Sequence, residues 1–442
     1  MSHPTALPAT SRATLRRIAG LALPALVVLA AEPVYVLVDT AVVGHLGRVP
    51  LAALAVGGTV LTLIAWLGTV MAYGTTGRAA RRYGAGDRAA AVAEGVQASW
   101  LAFAVGVAVA LGMQVVAGPL ARTLAGGGTE VADAAAQWMR IAALGAPGLL
   151  LAAAGNGWMR GVQETRRPVV YVLAANVLSA MLCPVLVYPV GLGLPGSAIA
   201  NVVAQSLGGL LFARALLVER AALRPDPSVI RRQLAVSRDL LTRGAAFQIC
   251  FLSATAVAAR FGAASVAAHQ IAVQLFFFTA LALDAVAIAA QSLVGAALGG
   301  GDADGARWLA RRIALLGVAC GLVFAVLIAV GSGVVPGWFS PDPAVRDQAM
   351  LAWPWFVAMQ PLAGVVFALD GVLIGAGDVR YLRNLTLVAT LGGFLPAIWA
   401  AYALDLGLGG IWAGLVLMVV IRLVGLLLRT RSGRWAVVGA VR

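Results

Sequence analysis

The chain has 442 residues, of which 61% are hydrophobic and 11% charged, and its mean hydropathy is +0.92. No water-soluble fold of this length has a core that could bury so much apolar surface, so the composition excludes a soluble protein and makes the lipid bilayer the solvent. The net charge of +14 comes from arginines spread over short polar segments, which is typical of loops that flank a membrane and indicates no nucleic-acid partner.

Twelve apolar segments are long enough to cross a bilayer, which takes about 20 residues. They lie at 17–46, 51–76, 89–117, 130–158, 168–190, 196–218, 240–261, 265–296, 307–333, 344–375, 382–403 and 407–428. This pattern predicts an all-α integral membrane protein with twelve transmembrane helices. The first segment is too long for the apolar core of a signal peptide, so we interpret it as an uncleaved span.

The second half of the chain repeats the first at an offset of 214 to 215 residues. Thr40–Val42 returns as Thr255–Val257, and residues 83–87 return as 298–302. Six spans per half is an even number, so we expect two six-helix lobes of the same orientation, related by a pseudo-two-fold axis along the membrane normal. Duplicated membrane halves often enclose a central site, which makes a transporter the first hypothesis.

The longest polar interval divides the chain into three parts. We predict a first lobe at 1–218, a cytoplasmic linker at 219–239 and a second lobe at 240–442. If the N-terminus is cytoplasmic, 27 of the 32 arginines fall on the cytoplasmic side. The positive-inside rule then places both termini in the cytoplasm.

Four carboxylates stand out within the predicted spans: Glu32, Asp39, Asp284 and Asp370. An ionisable group inside a span costs about 2.5–3.5 kcal/mol on insertion scales, so each is a functional candidate by default. A carboxyl in low-dielectric surroundings also keeps its proton more readily than it does in water. A proton and a cation could therefore compete for the same acid.

The first span combines two acids with two prolines. Glu32 and Asp39 lie seven residues apart, which puts them on nearly the same helical face about 10 Å apart, and we predict that they couple transport to protons. Pro24 and Pro33 each remove a backbone hydrogen bond and are candidate hinges. A purely structural role, as a cap or a bond to a neighbouring helix, stays open for either acid.

Other polar residues are candidates for supporting roles. Asn156, Asn176 and Asn201 fall in the fourth, fifth and sixth spans, where they could orient a first-span carboxylate or only tie helices together. Weaker candidates for a substrate cavity are Met71, Tyr73, Gln270 and Gln274.

Nothing in the chain indicates an enzyme, a cofactor or a metal site. The HExxH and GxSxG motifs and phosphate-binding loops are missing, and the glycine pattern at 191–196 follows an apolar span and contains a proline, so we interpret it as a short turn. The cysteines Cys183, Cys250 and Cys320 are widely separated in apolar segments, and we interpret them as small buried hydrophobic residues.

Four segments together resemble the multidrug and toxic compound extrusion (MATE) transporters, within them the DinF-like branch. These segments are 37–47, 160–168, 267–272 and 369–378, and the likeness extends over all twelve spans. The resemblance implies two lobes forming a V, with a central cavity that alternates between outward-open and inward-open states. It implies export of cationic or amphipathic compounds against protons or sodium ions, from a bacterial inner membrane, with a monomer sufficing because both lobes are in one chain.

The resemblance also assigns roles in the first lobe. Asp39 matches the family's first-span aspartate, which is linked to protonation and to bending of that helix at a proline. Asn156 and Asn176 match polar positions of the same lobe, and Asn201 stands where many relatives carry threonine. Ala180 replaces a second aspartate that some relatives carry, which weakens the case for a sodium site in this lobe.

In the second lobe, Asp370 matches an acid that sodium-coupled members use, and Gln248 is the polar residue nearest to the position of their seventh-span glutamate. Together with Asp284, these residues are the candidate second-lobe cation site, although one matched carboxylate and Asp284 are few ligands for a hard cation. Protons are therefore favoured over sodium ions as the coupling ion, and sodium coupling remains the alternative.

Two further classes of function are weighed against the exporter. A translocator of lipids or lipid-linked precursors should have a cavity rich in cationic side chains, whereas the spans carry acids and, apart from Arg140, hardly any arginine that we expect to be buried. A passive channel is disfavoured because the sequence has no evident filter loop or charged ring.

Overall fold

The computed structural model describes residues 11–126 and 128–441. Throughout these residues the regular elements are helices and no strand forms, which confirms the all-α prediction. The α-helices are α1 Ser11–Gly44, α2 Arg48–Gly84, α3 Arg88–Leu124, α4 Thr129–Ala143, α5 Ala146–Gly161, α6 Arg166–Val187, α7 Leu194–Val218, α8 Pro227–Arg260, α9 Ala263–Gly299, α10 Ala303–Val330, α11 Val335–Phe339, α12 Pro343–Gly375, α13 Val379–Leu387, α14 Leu395–Ala403 and α15 Gly407–Arg431. The predicted cytoplasmic positions of the two chain ends concern termini that lie outside the described residues.

The number of membrane-spanning segments agrees with the sequence. Among the described residues, eleven segments are sufficiently long and apolar to cross a bilayer as continuous helices, and the bent pair α4–α5 makes twelve when it is counted as one span. The chain is therefore a multi-pass membrane protein. The twelve predicted segments correspond to these twelve units in chain order.

The fourth span differs from its prediction as one helix over 130–158. It is two helices, α4 and α5, bent by 50° at a short break. Pro147 lies in the first turn of α5 and has no N–H to continue the hydrogen-bond ladder of α4. Gly106 of α3 packs so closely here that a methyl group in its place would overlap the backbone of Pro147.

The eleventh span, predicted at 382–403, is also irregular. A π-helical segment, Val388–Phe394, separates α13 from α14. Pro396 follows in the first turn of α14 and cannot donate to a carbonyl one turn earlier, so the ladder widens before it.

The predicted division at 219–239 stays a prediction, and the helix bounds differ from those of the predicted linker. Helix α8 begins at Pro227 and continues to Arg260, so the second half of the predicted linker and the seventh span form one helix. By internal contacts the chain forms two compact units, one comprising residues 23–237 and the other residues 11–22 and 238–441. We call these the first and second lobes. Their boundaries fall inside α1 and α8 rather than in irregular segments.

The sequence repeat is visible in equivalent helix ends. Asp87 caps α3 by accepting a hydrogen bond from the backbone N–H of Ala90 at 2.8 Å, and Asp302 caps α10 by accepting one from Gly305 at 2.7 Å. A glycine with positive φ precedes each cap, at 82° for Gly86 and 83° for Gly301. The duplicated residues therefore build the same turn twice.

Candidate functional site

Asp39 is buried inside the first lobe and bonded only to neutral groups. Its side chain lies on α1 and the residue is 5% exposed. The thiol of Cys183, on α6, donates to Asp39 Oδ1 at 3.2 Å. The hydroxyl of Ser197, on α7, also hydrogen-bonds the Asp39 carboxylate. Three helices therefore meet at this acid.

A second hydrogen bond joins α1 to α7 one turn away. Asn201 Nδ2 donates to the hydroxyl oxygen of Tyr35 at 3.2 Å. Tyr35 and Asp39 are four residues apart on α1, and Ser197 and Asn201 are four residues apart on α7, so both bonds lie on facing helical stripes. The order is antiparallel, with Asp39 opposite Ser197 and Tyr35 opposite Asn201.

A buried tryptophan fixes the orientation of the serine. Trp138 Nε1 donates to Ser197 Oγ at 3.3 Å, and Trp138 is 2% exposed. Because this bond uses an acceptor site of the hydroxyl, the hydroxyl proton is available for Asp39. The indole ring lies directly over Gly57 of α2, where a methyl group would overlap it.

The end of α1 is held against α6 beyond the acid. The hydroxyl of Tyr188 donates to the carbonyl oxygen of Val42 at 2.6 Å. Val42 also packs against a small buried cluster that includes Cys183, Val187 and Ala200. These contacts position the last turns of α1, and hence Asp39, relative to the thiol.

Asp39 differs from the other buried acids in its lack of an arginine. Five carboxylates are buried in the described part of the chain: Asp39, Glu94, Asp239, Asp370 and Asp378. The last four are ion-paired, Glu94 with Arg78 at 2.8 Å, Asp239 with Arg383 at 2.6 Å, Asp378 with Arg429 at 2.7 Å, and Asp370 with both Arg243 and Arg422. No described arginine lies within ion-pair distance of Asp39. It is the buried acid whose charge is not already balanced.

The other residues predicted around this site are not all brought to it. Glu32 is exposed, although it shares the α1 face of Tyr35 and Asp39. Asn176 donates to the carbonyl oxygen of Val172 in its own helix at 2.9 Å, which is a local bond. Asn156 is buried, and its Oδ1 has no hydrogen-bond donor. Of the three asparagines, Asn201 is the one that the structure joins to α1, through Tyr35.

Both candidate hinge prolines lie within α1. The helix runs through Pro24 and Pro33 without interruption. Pro24 is two residues beyond the lobe boundary at Ala22, and Pro33 is six residues before Asp39. Their role as hinges stays a prediction.

The residues predicted as a cation site of the second lobe have unlike surroundings, and their role stays a prediction. The carboxylate of Asp370 is held by the guanidinium groups of Arg243 and Arg422. Gln248 is exposed and Asp284 is half-buried. The expectation of hardly any buried arginine was wrong, because Arg422 is 4% exposed, Arg81 3% and Arg160 7%.

The weaker cavity candidates divide into two kinds. Met71 packs against the apolar core of the first lobe, and Tyr73 is half-buried. Gln270 and Gln274 are exposed, four residues apart on one face of α9. The glutamine pair alone presents polar groups on an accessible helix face.

Sequence reasoning missed four residues at the site: Tyr35, Trp138, Cys183 and Ser197. For Tyr35 a signal existed, since it shares a helical face with Asp39. The thiol and serine interactions depend on how α6 and α7 pack against α1, which periodicity does not specify. Within the described residues, no group of three or more His, Cys, Asp or Glu side chains is placed to hold a metal ion.

Comparison with known proteins gives one consistent result. The family model described as MatE matches two segments, 24–185 and 243–399, one in each half of the chain. The chain is 31% identical to Protein DETOXIFICATION 44, chloroplastic, of Arabidopsis thaliana, covering 95% of this chain and 83% of that protein. It is also 31% identical to DNA damage-inducible protein F of Escherichia coli K12, covering 94% and 92%.

Among solved structures, the Vibrio cholerae MATE transporter VcmN in its bent form has the same fold. The TM-score is 0.86 at 20% identity, and the match covers 96% of this chain and 97% of that one.

Proposed function

The chain belongs to the MATE family of multidrug and toxin extrusion transporters, and on this premise we propose that it is an antiporter that exports cationic or amphipathic organic compounds in exchange for protons. The surroundings of Asp39 support proton exchange, because this buried carboxylate has no arginine partner among the described residues. An acid held by a fixed counter-cation is less available to a proton or an organic cation, and Asp39 has no such partner among the described residues.

The proposed cycle follows from two ligands that share one acid. In the outward state, Asp39 takes a proton from the more acidic exterior, loses its charge and releases the bound organic cation. After return to the inward state, the proton leaves to the cytoplasm and the carboxylate attracts new cargo. Each ligand shifts the population of states through its unequal affinity for them.

The partners of Asp39 favour a proton over a sodium ion. A hard cation prefers several oxygen ligands, whereas one of the two side chains bonded to Asp39 is the thiol of Cys183. Ala180 supplies no oxygen where some relatives carry a second aspartate. Sodium coupling is the alternative, and separately imposed pH and sodium gradients distinguish it from proton coupling.

Cargo and location are proposed from the relatives. Relatives named multidrug and toxin extrusion protein 2, from Mus musculus, and probable multidrug resistance protein NorM, from Thermotoga maritima, support export of toxic organic compounds. The likeness to the Escherichia coli protein supports a bacterial inner membrane. The transport cycle needs no cofactor besides the coupling ion. Both lobes are in one chain, which supports a monomer as the functional unit.

The test is reconstitution in liposomes with pH and sodium gradients imposed separately, using a fluorescent organic cation as cargo. We expect transport by the unmodified protein under the pH gradient and its loss in Asp39→Asn, which keeps the shape of the side chain but cannot bind an exchangeable proton. Asp133→Asn is the matched control, because Asp133 is an exposed acid of the same lobe. Glu32→Gln tests the second acid that the sequence predicts for proton coupling. Undiminished pH-driven transport by Asp39→Asn contradicts the assignment, and transport driven only by sodium favours the alternative.

A further inference from the structure

The second lobe contains a buried cluster with more positive than negative charge. Arg243 of α8 and Arg422 of α15 both donate to Oδ2 of Asp370, on α12. The ring of Phe247 lies beside both guanidinium groups, with its centroid 5.6 Å from Cζ of Arg243 and 4.8 Å from Cζ of Arg422. Three helices thus converge on two cations and one anion.

Among the described residues, no second acid balances the excess charge. Asp370 is the carboxylate within ion-pair distance of both Arg243 and Arg422. The two other buried acids of this lobe are bound elsewhere, Asp239 by Arg383 and Asp378 by Arg429. An unbalanced buried charge is costly, and a further anion would offset that cost.

The cluster also has hydrogen-bonding capacity to spare. Both arginines bind Oδ2 of Asp370, while Nε of Arg243, Nε of Arg422 and Oδ1 of Asp370 are buried without a hydrogen-bond partner. A guanidinium group normally binds a carboxylate or phosphate through two N–H groups at once. The donors therefore suit a ligand with two or more anionic oxygens.

The three side chains of the cluster differ in their exposure. The side chain of Arg243 retains 13% exposure, against 5% for Arg422 and 8% for Asp370. A ligand would therefore approach from the side of Arg243. Next to the cluster, the thiol of Cys250 contacts Thr390 of the π-helical segment at 3.4 Å, and such irregular turns frequently occur at functional sites.

We propose that Arg243 and Arg422, held in place by Asp370, form a binding site in the second lobe for the carboxylate or phosphate group of an anionic ligand. Two sources carry this chemistry, a free small anion and the headgroup of an anionic lipid. The site differs from the acidic site at Asp39 in lobe, charge and ligand. The proposal stands independently of proton coupling.

The test uses the full chain and one charge-neutralising variant. In Arg243→Gln, Asp370 and Arg422 remain as a balanced pair, so the variant should fold at least as stably as the unmodified protein. Arg346→Gln removes the same charge from an exposed position and is the matched control. Thermal unfolding is followed in neutral detergent with inorganic phosphate or succinate at constant ionic strength, and in nanodiscs of phosphatidylcholine with or without phosphatidylglycerol.

We expect a saturable rise in unfolding temperature for the unmodified protein and for Arg346→Gln. In Arg243→Gln the apparent affinity should fall by about tenfold or more, as expected when one charged partner is lost. A response to phosphate or succinate identifies a free anion as the ligand, and a response to phosphatidylglycerol alone identifies a lipid headgroup.

Two results would overturn the proposal: no saturable response to any of these anions, or an equal response in Arg243→Gln. Asp39→Asn should keep the full response, so a failure of the proton-coupling proposal and a failure of the anion site are distinguishable.

Discussion

The thiol of Cys183 donates to Oδ1 of Asp39 across 3.2 Å, and no described arginine competes for that carboxylate. A thiol is a weak donor, so its bond to the carboxylate contributes about 1 kcal/mol, less than an ordinary hydrogen bond to a charged group. We therefore expect Cys183→Ala to slow proton-driven transport by about fivefold. Cys183→Ser keeps a donor and should retain most of the activity. Initial transport rates in liposomes measure the effect, with Cys320→Ala as the control. Equal rates for Cys183→Ala and the unmodified protein would show that the thiol contributes only to packing.

Gly57 and Gly58 are neighbours on α2 with opposite surroundings. A methyl group at Gly57 would overlap the ring of Trp138, whereas one at Gly58 would meet nothing within 4 Å. Overpacking a buried site costs about 1–3 kcal/mol. We expect Gly57→Ala to lower the unfolding temperature in detergent and to reduce transport by displacing Trp138 from Ser197. Gly58→Ala should leave both unchanged. Equal unfolding temperatures and equal transport rates of the two variants would show that the position of the Trp138 indole affects neither stability nor transport.

Gln97 ties the irregular segment 219–226 to α3. Its Nε2 donates to the carbonyl oxygen of Arg224 at 3.0 Å, and its Oε1 accepts from the N–H of Asp226 at 2.7 Å. We expect Gln97→Ala to release this segment and to accelerate tryptic cleavage after Arg220 by several-fold. The control is Ser99→Ala, since Ser99 bonds only within α3. An unchanged cleavage rate would mean that other contacts suffice to hold the segment.

Glu219 provides a pH-dependent contribution to stability. Its ion pair with Arg88, at 2.8 Å, lowers the pKa of the Glu219 carboxyl below its ordinary value of 4.5. A lowered pKa in the folded state means that the stabilisation is complete above the ordinary pKa and is lost as pH falls through the folded value. We expect Glu219→Gln to unfold at a lower temperature than the unmodified protein at pH 7, with a difference below about 1 kcal/mol because Arg88 is largely exposed.

That difference should shrink below pH 4.5 as the carboxylate of the unmodified protein is protonated. Thermal unfolding over a pH series measures it. A difference that stays constant to low pH would assign the effect to packing rather than to charge.

The sequence by itself established that the protein lies in a lipid bilayer, that it is helical and that its second half repeats the first. Apolar segments of sufficient length must be helical in a bilayer, because every backbone N–H and C=O needs an internal partner there. Asp39 was identifiable as a candidate for a similar reason, since an acid within a span is costly and is therefore a functional candidate by default. The break before Pro147 and the π-helical segment before Pro396 depend on local backbone bonding, which hydropathy does not register.

Only the tertiary structure decided which buried acids have an arginine partner and which do not. From their residue type and position alone, Asp39 and Asp370 were both functional candidates, because each is a carboxylate in an apolar span. Packing places Arg243 and Arg422 on Asp370, and a thiol and a hydroxyl on Asp39. Coulomb energy in a medium of low dielectric depends on distances of a few ångströms between helices far apart in sequence, and helical periodicity does not specify those distances. The same acid type is therefore bonded to neutral groups in one lobe and is the anchor of a cationic cluster in the other.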